Sequence, residues 1–275
     1  MMDGVDLSWK LAHVLLGLAK DKKALLETYE VERRDNALNL IDMDKRWYNA
    51  RYRKGGQEEG NGDSEPKMTV KWNELQIEIM SFITGTGVEY EAETAVTDKR
   101  RNEGRGSAVE VEGYSFGVLR EGRRLADGAR LVRFVNGNNV DLQKECGFDG
   151  SYTVVVFATR DLLDKDSKDW SLVEELCMLV QGFGGRMVKL VVVQPRPHLS
   201  FEWADLPEAL KELPDTSLLS GSEQVYKKYG VSQEEGVVVV VRPDQCVGSI
   251  AEFQAGASGI DKVKAYLNRL VNVNP

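Results

Sequence analysis

Apolar residues recur through the first fifty positions at helical spacing. Leu7, Leu11, Val14 and Leu15 fall on one face, and Trp9, Ala12 and Leu16 add a second. The pattern predicts a helix that is apolar on more than one side, of the kind normally buried in a core. Asp3 is placed as its N-cap and Asp6 in its first turn, where both carboxylates meet the partial positive charge of the helix start. Gly17 and Lys20-Asp21-Lys22 break it. Leu26, Tyr29, Arg33, Ala37, Leu40, Asp44 and Trp47, three and four apart, predict a long second helix, with Glu30 and Arg34 placed to pair on its outside. Residues 51–67 are polar, charged and glycine-rich and predict a mobile loop. Trp72, Leu75, Ile79, Phe82 and Ile83 resume helical spacing, with Gly85 as cap. Residues 98–106, DKRRNEGRG, predict a second solvated loop.

From Val109 the period changes. YTVVVFA at 152–158 is a continuous β-branched and aromatic run, as a strand buried on both faces requires. Leu172, Leu176, Leu179 and Val180 give a helix, and MVKLVVVQ at 187–194 a second buried strand, so the unit between them is a parallel crossover. A short helix at 225–229 and a strand at 236–241 follow. Residues 247–251 return beside that strand as a hairpin after Pro243-Asp244. Ile260, Val263, Leu267, Leu270 and Val271 close the chain with an amphipathic helix. The order β-α-β-α-β-β-α is that of a thioredoxin-like fold.

The 275 residues allow about two domains. With 42% hydrophobic and 29% charged residues, the balance is that of a soluble globular protein. A net charge of −8 argues against a nucleic-acid backbone or an anionic membrane as partner. No run reaches transmembrane length. The apolar stretch at 11–19 follows acidic residues and contains His13, unlike a signal peptide. Cys146, Cys177 and Cys246 are odd in number and widely spaced, which points to reduced thiols of a cytoplasmic protein. With two histidines and no Cys-x-x-Cys, no metal site is expected. Where a working thioredoxin carries its cysteine pair, after the first buried strand, this chain has Ala158-Thr159-Arg160-Asp161-Leu162. The fold is therefore expected without its redox chemistry. Trp170, Trp203 and Phe253 are either exposed contact anchors or core residues.

The string DGVDLSWKLAHVLLGLA, followed by LLETYEVERR, resembles a segment of the FAD-dependent aromatic hydroxylases that ends their flavin-binding domain. The run 122–132 and VYKKYGVSQEEGVVVVVRPDQCVG resemble the C-terminal domain of the phenol 2-monooxygenase branch. Asp6 stands where that family usually has Asn, and Asp35 where it usually has Pro; neither departure is expected to matter. The resemblance implies two parts. Residues 1–108 would be a helical C-terminal remnant of the FAD and substrate domain. Residues 109–275 would be a thioredoxin-like α/β domain associated with dimer contacts, giving a homo-oligomer. It also implies an enzyme using FAD, NADPH and dioxygen to hydroxylate a phenolic substrate. The start of the first helix, at Met2, Asp3 and Gly4, would face the flavin ring. The family's glycine-rich pyrophosphate turn and its catalytic residues are not in this sequence, so no catalytic residue is assigned, and the chain is expected to be a fragment that is inactive alone. The residues leave a rival reading open, a stand-alone redox-inactive thioredoxin-like interaction module. From pattern alone, the first two helices could be purely structural.

Overall fold

The computed structural model describes residues 2–52, 65–85, 87–90, 93–98, 119–126, 128–184, 187–213, 217–253 and 256–272. The boundary expected at 108 and the charged stretch 98–106, apart from Asp98, lie outside these residues. Three helices come first: α1 (Met2–Leu15), α2 (Lys22–Tyr52) and α3 (Glu65–Thr84). The two long helices thus reach into both ends of the stretch expected to be a loop at 51–67.

Next come the short strands β1 (Arg130–Arg133) and β2 (Asn139–Asp141), and one turn of helix α4 (Leu142–Glu145). The thioredoxin-like unit is β3 (Tyr152–Phe157), α5 (Lys168–Gly182), β4 (Val188–Gln194), α6 (Glu208–Glu212), β5 (Ser217–Gly221), α7 (Glu223–Tyr229), β6 (Val237–Val241), β7 (Val247–Glu252) and α8 (Ala257–Leu270). Seven strands form one sheet in the order β2-β1-β5-β4-β3-β6-β7. β3 runs parallel to β4 and antiparallel to β6, and β6 and β7 form an antiparallel hairpin. The predicted strands and their pairing are all present. The β1–β2 hairpin and β5 were not foreseen, and β5 extends the parallel part of the sheet beside β4.

The valine runs read as buried on both faces because each face has its own core. Val154, Val156, Leu190, Val192, Val238 and Val240 point into one, which α5 and α8 cover with Leu172, Leu176, Val180, Val263 and Leu267. Val155, Phe157, Val191, Val193, Val239 and Val241 point into the other, beneath Val225, Tyr226 and Tyr229 of α7. The Ser167 hydroxyl caps α5 by accepting from the Trp170 N–H at 3.2 Å. Gly230, with φ 67°, ends α7 in the left-handed conformation that glycine adopts without strain.

The N-terminal helices share the first of these cores. Trp9, Ala19 and Leu25 are buried in it together with Tyr152 and Tyr266. The link between α1 and α2 pairs with the end of α8: Lys20 N–H donates to the Leu270 carbonyl at 3.0 Å and Asn272 N–H to the Leu18 carbonyl at 2.7 Å. No helix among the described residues is long and apolar enough to cross a membrane.

Candidate functional site

The face that α1 buries is not its leucine face. Asp6, Trp9, Lys10 and His13, spaced at three and four, are the buried positions, whereas Leu11, Leu15 and Leu16 are 40%, 82% and 66% exposed. On α2 the buried stripe is Leu25, Thr28, Glu32, Asn36 and Met43, one residue out of step with the predicted stripe beginning at Leu26. Both corrections have one cause. The two helices turn Asp6, Lys10 and Glu32 inward because these residues find ionic partners there, and periodicity in apolar residues cannot register that.

The partners come from the turn between β6 and β7. Arg242 directly follows β6 and is wholly buried. Its Nη1 donates to Glu32 Oε1 at 2.5 Å and to Thr97 Oγ1 at 2.9 Å, and its Nη2 donates to Glu32 Oε2 at 3.0 Å. Its other edge grips Asp244, Nε to Oδ1 at 3.1 Å and Nη2 to Oδ2 at 2.5 Å. Lys10 bridges Asp6 at 2.9 Å and Glu32 at 2.7 Å. Aromatic rings close the cluster, with the guanidinium carbon 5.7 Å from the Trp9 ring centre and 5.4 Å from that of Tyr90. Burial works against the charge on Arg242, but Asp244 and Glu32 outweigh it and hold the guanidinium firmly protonated. Burial also works against ionised Asp244, yet Arg242 beside it keeps that carboxyl below its usual range. Asp6, a departure expected to be inconsequential, is a fully buried member of this cluster.

Gly122 holds Tyr90 in place beside the cluster. Its N–H donates to the Val247 carbonyl at 2.7 Å and its carbonyl accepts from Tyr90 N–H at 2.9 Å. Its φ is 82°, and a Cβ at this position would overlap the Tyr90 carbonyl.

His13 lies one turn further along α1. Its Nε2–H donates to the Gly150 carbonyl at 2.7 Å, and the buried Nδ1 finds no hydrogen-bond partner among the described residues. The ring packs edge-on against Trp9 and Tyr152, at 5.3 and 5.8 Å between centres. Burial lowers its pKa, because a protonated ring would carry an Nδ1–H with nothing to receive it.

The expected cofactor end stands above this cluster. α1 begins at Met2, so Asp3 lies in the first turn rather than at the N-cap. Asp3 is exposed and paired with Arg33 of α2, which also donates to Tyr90 Oη at 3.2 Å. Gly4 is exposed, and a Cβ there would meet nothing within 4 Å among the described residues. The first-turn N–H groups of a helix are free of intrahelical partners and carry its partial positive charge.

The remaining sequence candidates divide. Phe253 is core, Trp170 is half-buried with Nε1 donating to Glu174 at 3.0 Å, and Trp203 is 49% exposed. Trp203 stacks beside Phe134, which stacks in turn on Phe201 at 4.7 Å. In the segment after β3, Thr159 donates through both its N–H and its hydroxyl to Asp169. Cys177 lies inside α5, where burial pushes its thiol up to about 12.

Comparison with known proteins gives a consistent picture. The family model described as phenol hydroxylase, C-terminal dimerisation domain, matches residues 88–274. The flavin-dependent oxygenase ucdD of Aspergillus ustus is 27% identical over 274 residues, covering 93% of this chain and 38% of that protein. The phenol 2-monooxygenase fsqG of Aspergillus fumigatus is 26% identical over 277 residues, covering 95% of this chain and 43% of that protein. Among solved structures, aklavinone-11 hydroxylase, in a ternary complex with FAD and aklavinone, superposes with a TM-score of 0.53 at 20% identity, over 97% of this chain and 38% of that one. That likeness is one of fold. The chain spans less than half the length of these relatives.

Proposed function

The chain belongs to the phenol hydroxylase family, whose C-terminal dimerisation domain occupies residues 88–274, and from this premise we propose that it works as part of a flavin-dependent monooxygenase of phenolic rings. The observation that carries the reading is the extent of the similarity. A match to a flavin-dependent oxygenase over 93% of the chain must take in most of the helices that precede residue 88. A stand-alone dimerisation module gives no reason for that part to be similar.

In this reading FAD, reduced by NADPH, supplies the oxygen-activating chemistry when bound. The chain's own contribution is the start of α1. Met2, Asp3 and Gly4 would present free N–H groups and a partial positive charge to the electron-rich edge of the flavin ring. Arg33 balances the Asp3 carboxylate, which would otherwise oppose that charge. Gly4 keeps the approach clear of a side chain. The dimerisation domain would join two copies into a homo-oligomer. One helix end contributes about 1 kcal/mol or less when exposed, whereas micromolar binding needs about 8 kcal/mol. Tight FAD binding then depends on a pyrophosphate site that these three residues do not provide.

The test is to titrate FAD and a phenol into this chain, alone and mixed with the separately expressed flavin-binding part of a phenol 2-monooxygenase. The expected result is flavin retention and NADPH-dependent hydroxylation in the mixture only, weakened by Gly4→Val without loss of stability. Stoichiometric flavin on the chain alone would require a different site. An unimpaired Gly4→Val mixture would remove α1 from the cofactor's surroundings.

A further inference from the structure

The cluster beneath α1 carries unequal charge. Asp6, Glu32 and Asp244 bring three carboxylates and Lys10 and Arg242 two cations, with every one of these side chains sealed from solvent. An uncompensated charge so enclosed is strongly disfavoured and is normally removed by taking up a proton. The hydrogen bonds identify which carboxylate takes it. Glu32 accepts from Lys10, from both terminal nitrogens of Arg242 and from Thr97. Asp244 accepts from two nitrogens of Arg242 and from the Cys246 N–H. Asp6 must share Lys10 with Glu32 and reaches Arg242 only at 3.4 Å. It is the least compensated of the three.

We propose that α1 docks on the sheet with Asp6 protonated, making the cluster electrically neutral, and that this seating weakens as rising pH removes the proton. The groups facing Asp6 are Lys10 on its own helix, Glu32 on α2, and Arg242 and Asp244 in the β6–β7 turn, with Tyr90 over the guanidinium and Cys246 behind Asp244. Burial, then Asp244, raises the Asp6 carboxyl to about 6, while Lys10 and Arg242 hold it from rising further. Tyr90 and Cys246 are pushed up by burial and stay neutral over this range. An Asp in the unfolded chain loses its proton near 3.8, so the folded state holds a proton that the unfolded state has already lost. The stabilisation is present at low pH and is lost as pH rises through about 6. The cluster would behave in this way whether or not the chain meets a flavin.

The experiment compares urea unfolding of the full chain with its Asp6→Asn variant from pH 4.5 to 8.5. Asn keeps the shape and is neutral at every pH. The variant is expected to gain on the parent as pH rises, by about thirtyfold in the unfolding constant across the range, and to be the more stable protein at pH 8. Carbon-13 NMR of aspartate-labelled parent chain should show one side-chain carboxyl titrating near 6 that is missing from Asp6→Asn. A variant destabilised equally at pH 5 and pH 8 would show that Asp6 is a permanent anion of the cluster and would overturn the proposal. So would a parent chain in which every aspartate has titrated by pH 5, a result that decides the matter even if Asp6→Asn does not fold.

Discussion

Asp3 and Asp6 stand three residues apart on α1 and each meets an arginine, but the two pairs do different physical work. Asp3 pairs with Arg33 at the rim, with 62% of its side chain exposed. Water already solvates both charges there, so the pair gains little and holds little. Asp6 meets Arg242 in a cluster from which water is excluded. There Glu32 and Asp244 rely on Arg242 and Lys10, and removal of either cation leaves a carboxylate stranded at high cost, whereas Asp6 is the one carboxyl whose charge the cluster does not need. The outer pair leaves the start of the helix exposed, and the inner cluster fixes where that end can be.

Removal of the central cation should have the largest effect. Arg242→Met leaves Asp6, Glu32 and Asp244 with only Lys10 between them, and a loss of about 3–5 kcal/mol is expected. Urea unfolding of the full chain measures it. A loss below about 1 kcal/mol would mean that the interior pairs are as dispensable as surface ones.

His13 should act next, through pH. The fold favours its neutral ring, so the unfolded chain takes up a proton first as pH falls below the ordinary imidazole value of 6.5. Stability contributed by the neutral ring is therefore lost on acidification, by about 1.4 kcal/mol per pH unit once the unfolded ring is protonated. His13→Gln, which keeps a donor for the Gly150 carbonyl, should flatten that acid limb between pH 6.5 and 4.5. An unchanged slope would mean that His13 is not the group titrating between pH 6.5 and 4.5; Asp244, whose carboxyl lies below its ordinary 3.8, loses its contribution only at lower pH.

Asp3→Asn should have the smallest effect. It removes a solvated pair, and a change below about 1 kcal/mol is expected, shrinking further in 1 M salt. A loss comparable to that of Arg242→Met would erase the distinction between rim and interior.

Legibility in the sequence followed the kind of residue that does the burying. The strands β3, β4 and β6 are valine runs with apolar surroundings on both faces, and pattern was enough to find them. β5 reads Ser-Leu-Leu-Ser-Gly, too short and too polar to stand out, although its Leu218 and Leu219 are both buried. α1 and α2 were visible as helices but not in orientation. Their inward faces carry Asp6, Lys10, Thr28 and Glu32, and Arg242, the partner of Asp6 and Glu32, lies more than two hundred positions away in the chain. A signal did exist: an arginine closing a run of five valines needs a buried counter-charge, and the carboxylates Asp6 and Glu32 on the first two helices could supply it. The Asp3 end as a cofactor-facing helix start rests on family resemblance alone. Its N-cap role was not realised, because the helix begins one residue earlier.

The claim that organises the account is that α1 and the thioredoxin-like sheet are one cooperative unit, held by Trp9 in the shared core and by Arg242 in the cluster. Native-state hydrogen exchange of the full chain tests it most directly. The predicted result is that the amides of Trp9 to Val14 and those of β3 and β4 exchange with the same opening free energy and the same denaturant dependence. Exchange of α1 through a separate low-energy opening, while β3 and β4 stay protected, would contradict it.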